Sequence, residues 1–337
     1  MIQPTELIPY ARHQITADDE AAVLGVLRSK WLTQGPKVEE FEAALATLCD
    51  AKYAVCTNSG ASALYLSAGT CSASHIVTTP ITFAATINLY LGSNLDAVQF
   101  LDVDPATGRW PAWYPPNSVG GISLPVTLGG VPFDGRSAAT YGRILIDATH
   151  SLGAVYPGHT LAACFSFHPA KHVACGEGGA VVTNHEVIAT VVRAMVNHGR
   201  SGATRWRAGF NMRMPEMSAA LGLSQLQRLP ENIQRRRFIA QYYDEYFRGT
   251  VRFVVHPPGS VYHLYQILVK PERRDEIQLL LRHAHIGTAI HYPALLPLPN
   301  ALSFAASTLS IPMFPTLTDA EVEYVAGTVK EVVGQCQ

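Results

Sequence analysis

The segment Ser166-Phe167-His168-Pro169-Ala170-Lys171 puts one lysine just after an apolar run, Ala162–Phe167, and a glycine-rich turn, Gly176-Glu177-Gly178-Gly179, follows it. A lysine at the end of a buried strand is costly unless it is paired, exposed or chemically used. Desolvation lowers the pKa of such an amine, and the neutral amine forms Schiff bases with aldehydes. Standing alone, Lys171 would by default be a surface lysine that carries its charge to water on an apolar stem.

It does not stand alone. Asp147 ends the run Ile144-Leu145-Ile146, 24 residues before the lysine. A carboxylate after a buried strand lies at the carboxyl edge of a sheet, where ligands bind, although the same residue also serves as a turn or cap. Asn58-Ser59-Gly60-Ala61-Ser62 joins a strand to a helix. Amides at a helix N-terminus bind phosphate, and glycine permits close approach. Thr79-Pro80-Ile81-Thr82-Phe83 is a second strand-to-helix corner, whose aromatic would stack on a flat heterocycle or pack in a core. Phosphate turn, aromatic corner, strand-end acid and Schiff-base lysine, in that order, match the needs of a pyridoxal phosphate (PLP) site. There the acid keeps the pyridine nitrogen protonated so that the ring acts as an electron sink.

Several other groups bear on the chemistry less directly. His168, His172 and His198 fit no standard metal spacing, and no metal site is expected. Arg200, Arg205, Arg207 and Arg213 flank a glycine-containing loop and read either as a diphosphate clamp or as surface, Arg213 being the most structural. Arg235-Arg236-Arg237 reads as a solvated helix face, and Met212, Met214 and Met217 as packing.

The elements that must hold these residues follow from pattern. Ile15–Leu48 is helical with a break at Thr33-Gln34-Gly35-Pro36, and Thr16 before Asp18-Asp19-Glu20 marks a helix start. Buried strands are expected at Tyr53–Cys56, His75–Thr78, Ala97–Leu101, Ile122–Leu124, Arg143–Ile146, Ala162–Phe167 and Gly179–Thr183. Helices are expected at Ala61–Ala68 and Thr82–Leu91, whereas Asp104–Gly142 is rich in Pro and Gly and poor in helix signals. This alternation implies a mostly parallel sheet covered on both faces. A long helical region, Met217–Phe247, is interrupted at Pro230. Then come a strand at Tyr262–Val269, a helix at Glu272–His283, a strand at Gly287–His291 and a final helix from Thr318. The expected organisation is a large domain over 1–225, with an N-terminal arm in 1–50, and a small α+β domain over 226–337.

Composition narrows the class. The 337 residues are 48% hydrophobic, enough for a large core, and the net charge of −1 arises from 25 basic and 26 acidic residues spread along the chain. No charge block points to nucleic acid or membrane. The six cysteines form no C-x-x-C pair, and isolated thiols suit a reducing cytosol. Met1–Tyr10 lacks the basic start and apolar run of a signal peptide, so a cytoplasmic location is expected. The first strand–turn lacks G-x-G-x-x-G, which argues against a dinucleotide-dependent oxidoreductase.

Over nearly its whole length the sequence resembles the PLP-dependent nucleotide-sugar aminotransferases of the DegT/DnrJ/EryC1/StrS type. The likeness runs through Leu32–Pro36, Ser59-Gly60, Pro80–Thr86, Asp147–Gly153, Ser166–Lys171, Gly176–Asn184, Asn197–Gly199, Gly209–Met214, Ala219–Leu226, His263–Tyr265 and His291-Tyr292. Ile8-Pro9-Tyr10, Ser29–Thr33 and Thr79–Ile81 with Ser166–Pro169 are most similar to the branch that makes pseudaminic acid. The resemblance implies an aspartate aminotransferase-like fold (PLP fold type I), an α/β large domain with a mostly parallel seven-stranded sheet and a small C-terminal α+β domain. It implies amination at C4 of a UDP-linked 4-keto-6-deoxy 2-acetamido sugar, with glutamate as donor and 2-oxoglutarate as co-product. It also implies a homodimer with shared sites.

Carried over residue by residue, Lys171 holds the cofactor and moves the proton, Asp147 pairs the pyridinium nitrogen, and His150 lies near the phenolic oxygen. Phe83 stacks on the ring, Gly60, Ala61 and Ser166 bind the phosphate, and Asn211 reaches the phosphate of a neighbouring subunit. Tyr10, Lys30, Trp31, Leu32, Thr33, His291 and Tyr292 match substrate-contacting segments. The chain departs from the pattern at Ile146, where an acid is usual, and at Ala61, where a threonine is usual. It is also shorter between Asp104 and Arg143 and between Tyr156 and Cys164. Competing readings are a dTDP- or GDP-linked ketosugar as substrate, a sugar dehydratase of the same fold, and a non-catalytic scaffold or regulator. Lys171 argues against the dehydratase, which keeps histidine there. Lys171 with Asp147 and Ser166 argues against the scaffold.

Overall fold

The computed structural model describes residues 4–71, 75–91, 98–111, 121–135, 143–200 and 208–336. In chain order the first part contains α1 (Ala17–Leu27), α2 (Pro36–Leu48), β1 (Tyr53–Thr57), α3 (Gly60–Gly69), β2 (Ile76–Thr78), α4 (Ala85–Leu91) and β3 (Val98–Phe100). It continues with β4 (Ile122–Ser123), β5 (Phe133–Asp134), β6 (Leu145–Asp147), β7 (Val155–Tyr156), β8 (Ala162–Ser166), β9 (Gly179–Thr183), α5 (Glu186–Met195) and α6 (Glu216–Gln227). The second part is α7 (Leu229–Phe247), β10 (Arg252–Phe253), β11 (Tyr265–Leu268), α8 (Arg274–His283), α9 (Pro299–Ser307), β12 (Thr308–Ile311) and α10 (Asp319–Gln335).

Strands β1-β9-β8-β6 form one hydrogen-bonded run and β3-β2-β4 another. Parallel bridges at Ser123–Ile144 and Val126–Asp147 join them across β4 and β6. The result is the expected seven-stranded sheet, in the order β1-β9-β8-β6-β4-β2-β3, with only β9 antiparallel to its neighbours. Strand periodicity sorts its side chains to two faces. In β8, Ala163 and Phe165 pack with Phe41 and Leu45 of α2, while Ala162 and Cys164 pack with Leu64 and Leu66 of α3. Both faces being covered, the strands read as continuous apolar runs.

A second core gathers Tyr243 and Phe247 of α7, β11, β12, α8 and α10 around an antiparallel β10-β11-β12 sheet. Ile8 belongs to this core: its N–H donates to the His285 carbonyl at 2.9 Å, and its carbonyl accepts from Gly287 N–H at 2.8 Å. The start of the chain is thereby fastened to residues nearly 280 positions away.

Thr16 and Thr318 cap α1 and α10 through capping boxes with Asp19 and Glu321. Helix α6 ends at Gln227, and α7 restarts with Pro230 in its first turn, where its missing N–H is harmless. Two expectations need correction. Gly287–His291 is not a strand: single bridges at Ile286 and Ala289 tie it to Ile8 and Ser310. Arg236 does not sit on a solvated face. It is buried, and Nη1 donates to the carbonyls of Met313 (2.7 Å), Tyr262 (3.1 Å) and His263 (3.5 Å). Burial lowers its pKa to about 10, which still leaves it charged at neutral pH. Helices α5 and α9 and strand β12 carried no signal that the pattern reading used.

Candidate active site

The carboxyl ends of β1, β6 and β8 converge on a cavity of ≈ 500 Å³ whose lining includes Tyr10, Ser59, Gly60, Ala61, Phe83, Thr86, Asp147, Ser166, Lys171, His263, His291 and Tyr292. Nine of the site residues expected from sequence meet there: Lys171, Asp147, Gly60, Ala61, Ser166, Phe83, Tyr10, His291 and Tyr292. His150 lies one layer behind. Asn211 is exposed, on a bridge to Asn197, and is not part of this cavity.

Lys171 leaves β8 through a tight turn in which its N–H donates to the His168 carbonyl at 2.8 Å. Burial lowers the pKa of its amine from 10.5 to about 8, with the Asp147 carboxylate opposing the shift. Asp147, only 2% exposed, ends β6. Thr86 Oγ donates to its Oδ2 at 2.7 Å, and Thr149 donates to its Oδ1 from Oγ at 2.7 Å and from N at 3.2 Å. Thr86 in turn shares a hydrogen bond with Thr82 at 2.7 Å. These hydroxyl donors fix the direction of the carboxylate. Both threonines lie in segments that carried the resemblance, but their chemical role follows only from these contacts.

The turn read from sequence as a phosphate site joins β1 to α3. Ser59 caps α3, its Oγ accepting from Ser62 N–H at 3.1 Å, and Ala63 N–H donates to the Ser59 carbonyl at 3.1 Å. Gly60 and Ala61, whose N–H groups in the first turn have no intrahelical acceptor, line the cavity. A Cβ on Gly60 would lie 2.7 Å from Ser166 Cβ, so only glycine lets α3 approach the end of β8 this closely.

Phe83 is 62% exposed, so it is a wall of the cavity and not core, and its ring lies 6.0 Å from that of Tyr292. His150 is buried, accepting from Gly129 N–H at Nδ1 (3.3 Å) and meeting the Tyr292 hydroxyl at Nε2 (2.9 Å). His263 packs on it at 4.1 Å between ring centroids. His291 contacts the Tyr10 ring at 5.2 Å and is fixed through Nδ1 by Ser310 Oγ at 2.9 Å. Burial, with the Lys171 charge adding, drives His150 and His263 well below the ordinary histidine value and His291 to about 4. His172 falls to about 3 through burial and the neighbouring Arg236. The sequence reading missed His263, an isolated histidine before a strand.

Lys30, Trp31, Leu32 and Thr33 are exposed and lie outside this cavity. Trp31 instead borders an open groove of ≈ 620 Å³ among α1, α2 and α6, together with Lys37, Glu40 and Glu216. Glu216 is occupied there, capping α2 by accepting from the N–H groups of Lys37 (2.9 Å) and Val38 (2.8 Å). Arg213 donates to Asn197 Oδ1 at 2.6 Å, a structural role, while Arg205 and Arg207 lie outside the described residues. Among the described residues there is no cluster of ligands fit for a metal ion, and no helix is long and apolar enough to cross a membrane.

The residues present fit pyridoxal phosphate. Free amides at the start of α3 beside Ser166 suit its phosphate, Asp147 suits a protonated ring nitrogen, and a partly deprotonated Lys171 suits its aldehyde. Comparison with known proteins agrees. The chain is 32% identical over 370 residues to the UDP-4-amino-4,6-dideoxy-N-acetyl-beta-L-altrosamine transaminase of Campylobacter jejuni, covering 97% of this chain and 98% of that one. It is 30% identical to the spore coat polysaccharide biosynthesis protein SpsC of Bacillus subtilis, over 97% of both. The structure superposes on Helicobacter pylori PseC, described as an aminotransferase involved in the biosynthesis of pseudoaminic acid. That match has a TM-score of 0.87, 28% identity and coverage of 98% of this chain and 100% of the other. Residues 13–330 match the model of the DegT/DnrJ/EryC1/StrS aminotransferase family, and with the site geometry this makes the chain a PLP-dependent sugar aminotransferase of that family.

Proposed function

We propose that the chain transfers an amino group from glutamate to the C4 ketone of a UDP-linked 4-keto-6-deoxy 2-acetamido sugar. The observation that carries the reading is Lys171, a half-buried residue whose amine is desolvated to a pKa of about 8, in one cavity with Asp147, Gly60 and Ala61. When bound, pyridoxal phosphate supplies the electron sink that lets an amino acid lose its α-proton. The chain's own part is then to bind, orient and move protons. Gly60, Ala61 and Ser166 hold the phosphate. Asp147, fixed by Thr86 and Thr149, holds a proton on the ring nitrogen. Phe83 covers a ring face. Lys171 would hold the cofactor's aldehyde and, as an amine of lowered pKa, would take and return the donor's α-proton.

Tyr10, His291 and Tyr292 line the cavity at the second core and serve the sugar or the donor. Lys30–Thr33 and Asn211, exposed and outside the cavity of their own protomer, are assigned to the site of a second copy in a homodimer. The similarity to a UDP-sugar transaminase supports a UDP-linked substrate.

Visible spectroscopy tests the reading. The protein with pyridoxal phosphate should show a yellow band that bleaches with glutamate and returns with the UDP-linked 4-ketosugar. Return only with a dTDP- or GDP-linked sugar would reassign the nucleotide. A band that glutamate leaves untouched would reassign the donor, and the absence of any band would favour the non-catalytic scaffold.

A further inference from the structure

Both ring nitrogens of His150 are committed inside the protein. Gly129 N–H can only donate, so Nδ1, 3.3 Å away, must be the bare nitrogen. A proton on Nδ1 would face the amide hydrogen head-on, which disfavours both the Nδ1–H tautomer and the imidazolium. The neutral ring therefore carries its proton on Nε2, and this N–H points at the Tyr292 hydroxyl, 2.9 Å away. Tyr292 oxygen is thus an acceptor towards His150. Its own proton has no acceptor among the described residues and is left for whatever occupies the cavity. Tyr292 lines that cavity and His150 does not.

We infer that Tyr292 is the hydrogen-bond donor of this site, and that His150, held by the Gly129 amide, is a positioning residue that fixes which way the phenolic proton points. The acceptor is an oxygen that bears or gains negative charge, either the phenolate of the cofactor or the ketone oxygen of the sugar. The inference deepens the proposed function and rests on it for the identity of the ligand.

The ring's surroundings keep this arrangement rigid. Tyr292 packs edge-on against His291 at 5.1 Å and at a tilt against Phe83 at 6.0 Å, and His263 packs on His150 at 4.1 Å. Burial, Asp147 and Tyr10 all raise the pKa of the phenol, so it keeps its proton at neutral pH.

The first test needs no ligand. Long-range proton–nitrogen correlation spectra of cofactor-free protein, labelled with nitrogen-15 histidine, report the tautomer directly. The Nε2–H form of His150 is expected at neutral pH, and either the Nδ1–H form or the imidazolium overturns the inference. The second test is Tyr292→Phe, which keeps the ring and removes the hydroxyl. If the acceptor is the phenolate, the Kd for pyridoxal phosphate, read by tryptophan fluorescence, rises at least tenfold. If it is the sugar, that Kd holds while the ketosugar half-reaction slows at least tenfold and the glutamate half-reaction stays within threefold. No change in either arm overturns the inference. His150→Phe should reproduce the loss, and the double variant should be no worse than Tyr292→Phe alone. Additive losses would mean that His150 acts on its own. Failure of the proposed function is distinguishable, because wild-type protein would then respond to no ketosugar while the tautomer and cofactor-binding results stand.

Discussion

Replacing Asp147 by asparagine in cofactor-free protein separates the two forces that set the proton affinity of Lys171. Burial disfavours the ammonium, the carboxylate favours it, and their balance places the pKa at about 8 instead of 10.5. At pH 7.5 this leaves roughly a quarter of the lysine as free amine, against about one part in a thousand for an ordinary lysine. Asp147→Asn removes the opposing charge at nearly constant volume, so the pKa drops further. Because a quarter of the amine is already free, its availability at pH 7.5 can rise at most about fourfold. Turnover should move the other way, by orders of magnitude, because a neutral amide does not keep the pyridine nitrogen protonated. The assay is pulse acetylation of the cofactor-free protein across pH, with the Lys171 peptide quantified by mass spectrometry. The wild-type midpoint is expected near 8 and the variant's below it. A wild-type midpoint near 10, or an upward shift in the variant, would refute the balance described.

Three further outcomes follow from the geometry. Ala61→Thr places a hydroxyl beside the free amides of α3, a net gain of about 1 kcal/mol that should tighten pyridoxal phosphate roughly fivefold in a fluorescence titration. Unchanged affinity would show that the amides and Ser166 already saturate the phosphate. Gly60→Ala sets a methyl 2.7 Å from Ser166 Cβ, pushing α3 off the end of β8, and should weaken the same cofactor at least tenfold. An equal Kd would mean that the close approach is dispensable. Arg236→Met leaves the carbonyls of Met313, Tyr262 and His263 without their shared donor, so denaturant unfolding should show a loss of about 3 kcal/mol. A loss under about 0.5 kcal/mol would place that guanidinium among ordinary surface groups.

The sequence exposed those parts of the molecule that obey local rules. Strands buried on both faces are continuous apolar runs, so β1, β2, β6, β8 and β9 were legible, as were the capped starts of α1 and α10. Lys171, Asp147 and the Ser59-Gly60 turn were legible because each ends a strand, and the sheet's topology brings strand ends together. Contacts that depend on distant segments were not. The Gly287–His291 stretch alternates like a strand, yet it meets Ile8 and Ser310 only through single bridges. Arg236 sits between two other arginines and looks solvated, but the loop after Tyr262 and the carbonyl of Met313 close over it. Thr86, Thr149 and His263 bear on the chemistry only because they touch Asp147 and His150, and no spacing encodes that.

Those distant contacts also decide the charge of the site. Four histidines, His150, His172, His263 and His291, surround Lys171, and their number invites the view that they are its acid–base partners. Burial argues otherwise: His291 falls to about 4, His172 to about 3, and His150 and His263 go well below the ordinary value. Each of the four is depressed further by the positive charge of Lys171. At neutral pH the histidines are therefore uncharged, and Asp147 is the charge against which the Lys171 amine is balanced. Protonating any of them would press the lysine towards its neutral form. The consequence is specific: above pH 5 the acid limb of activity does not belong to any of these four imidazoles. Tyr292→Phe should thus leave the pH of that limb in place even where it lowers the rate, because the relay behind the phenol carries hydrogen bonds and no titrating charge.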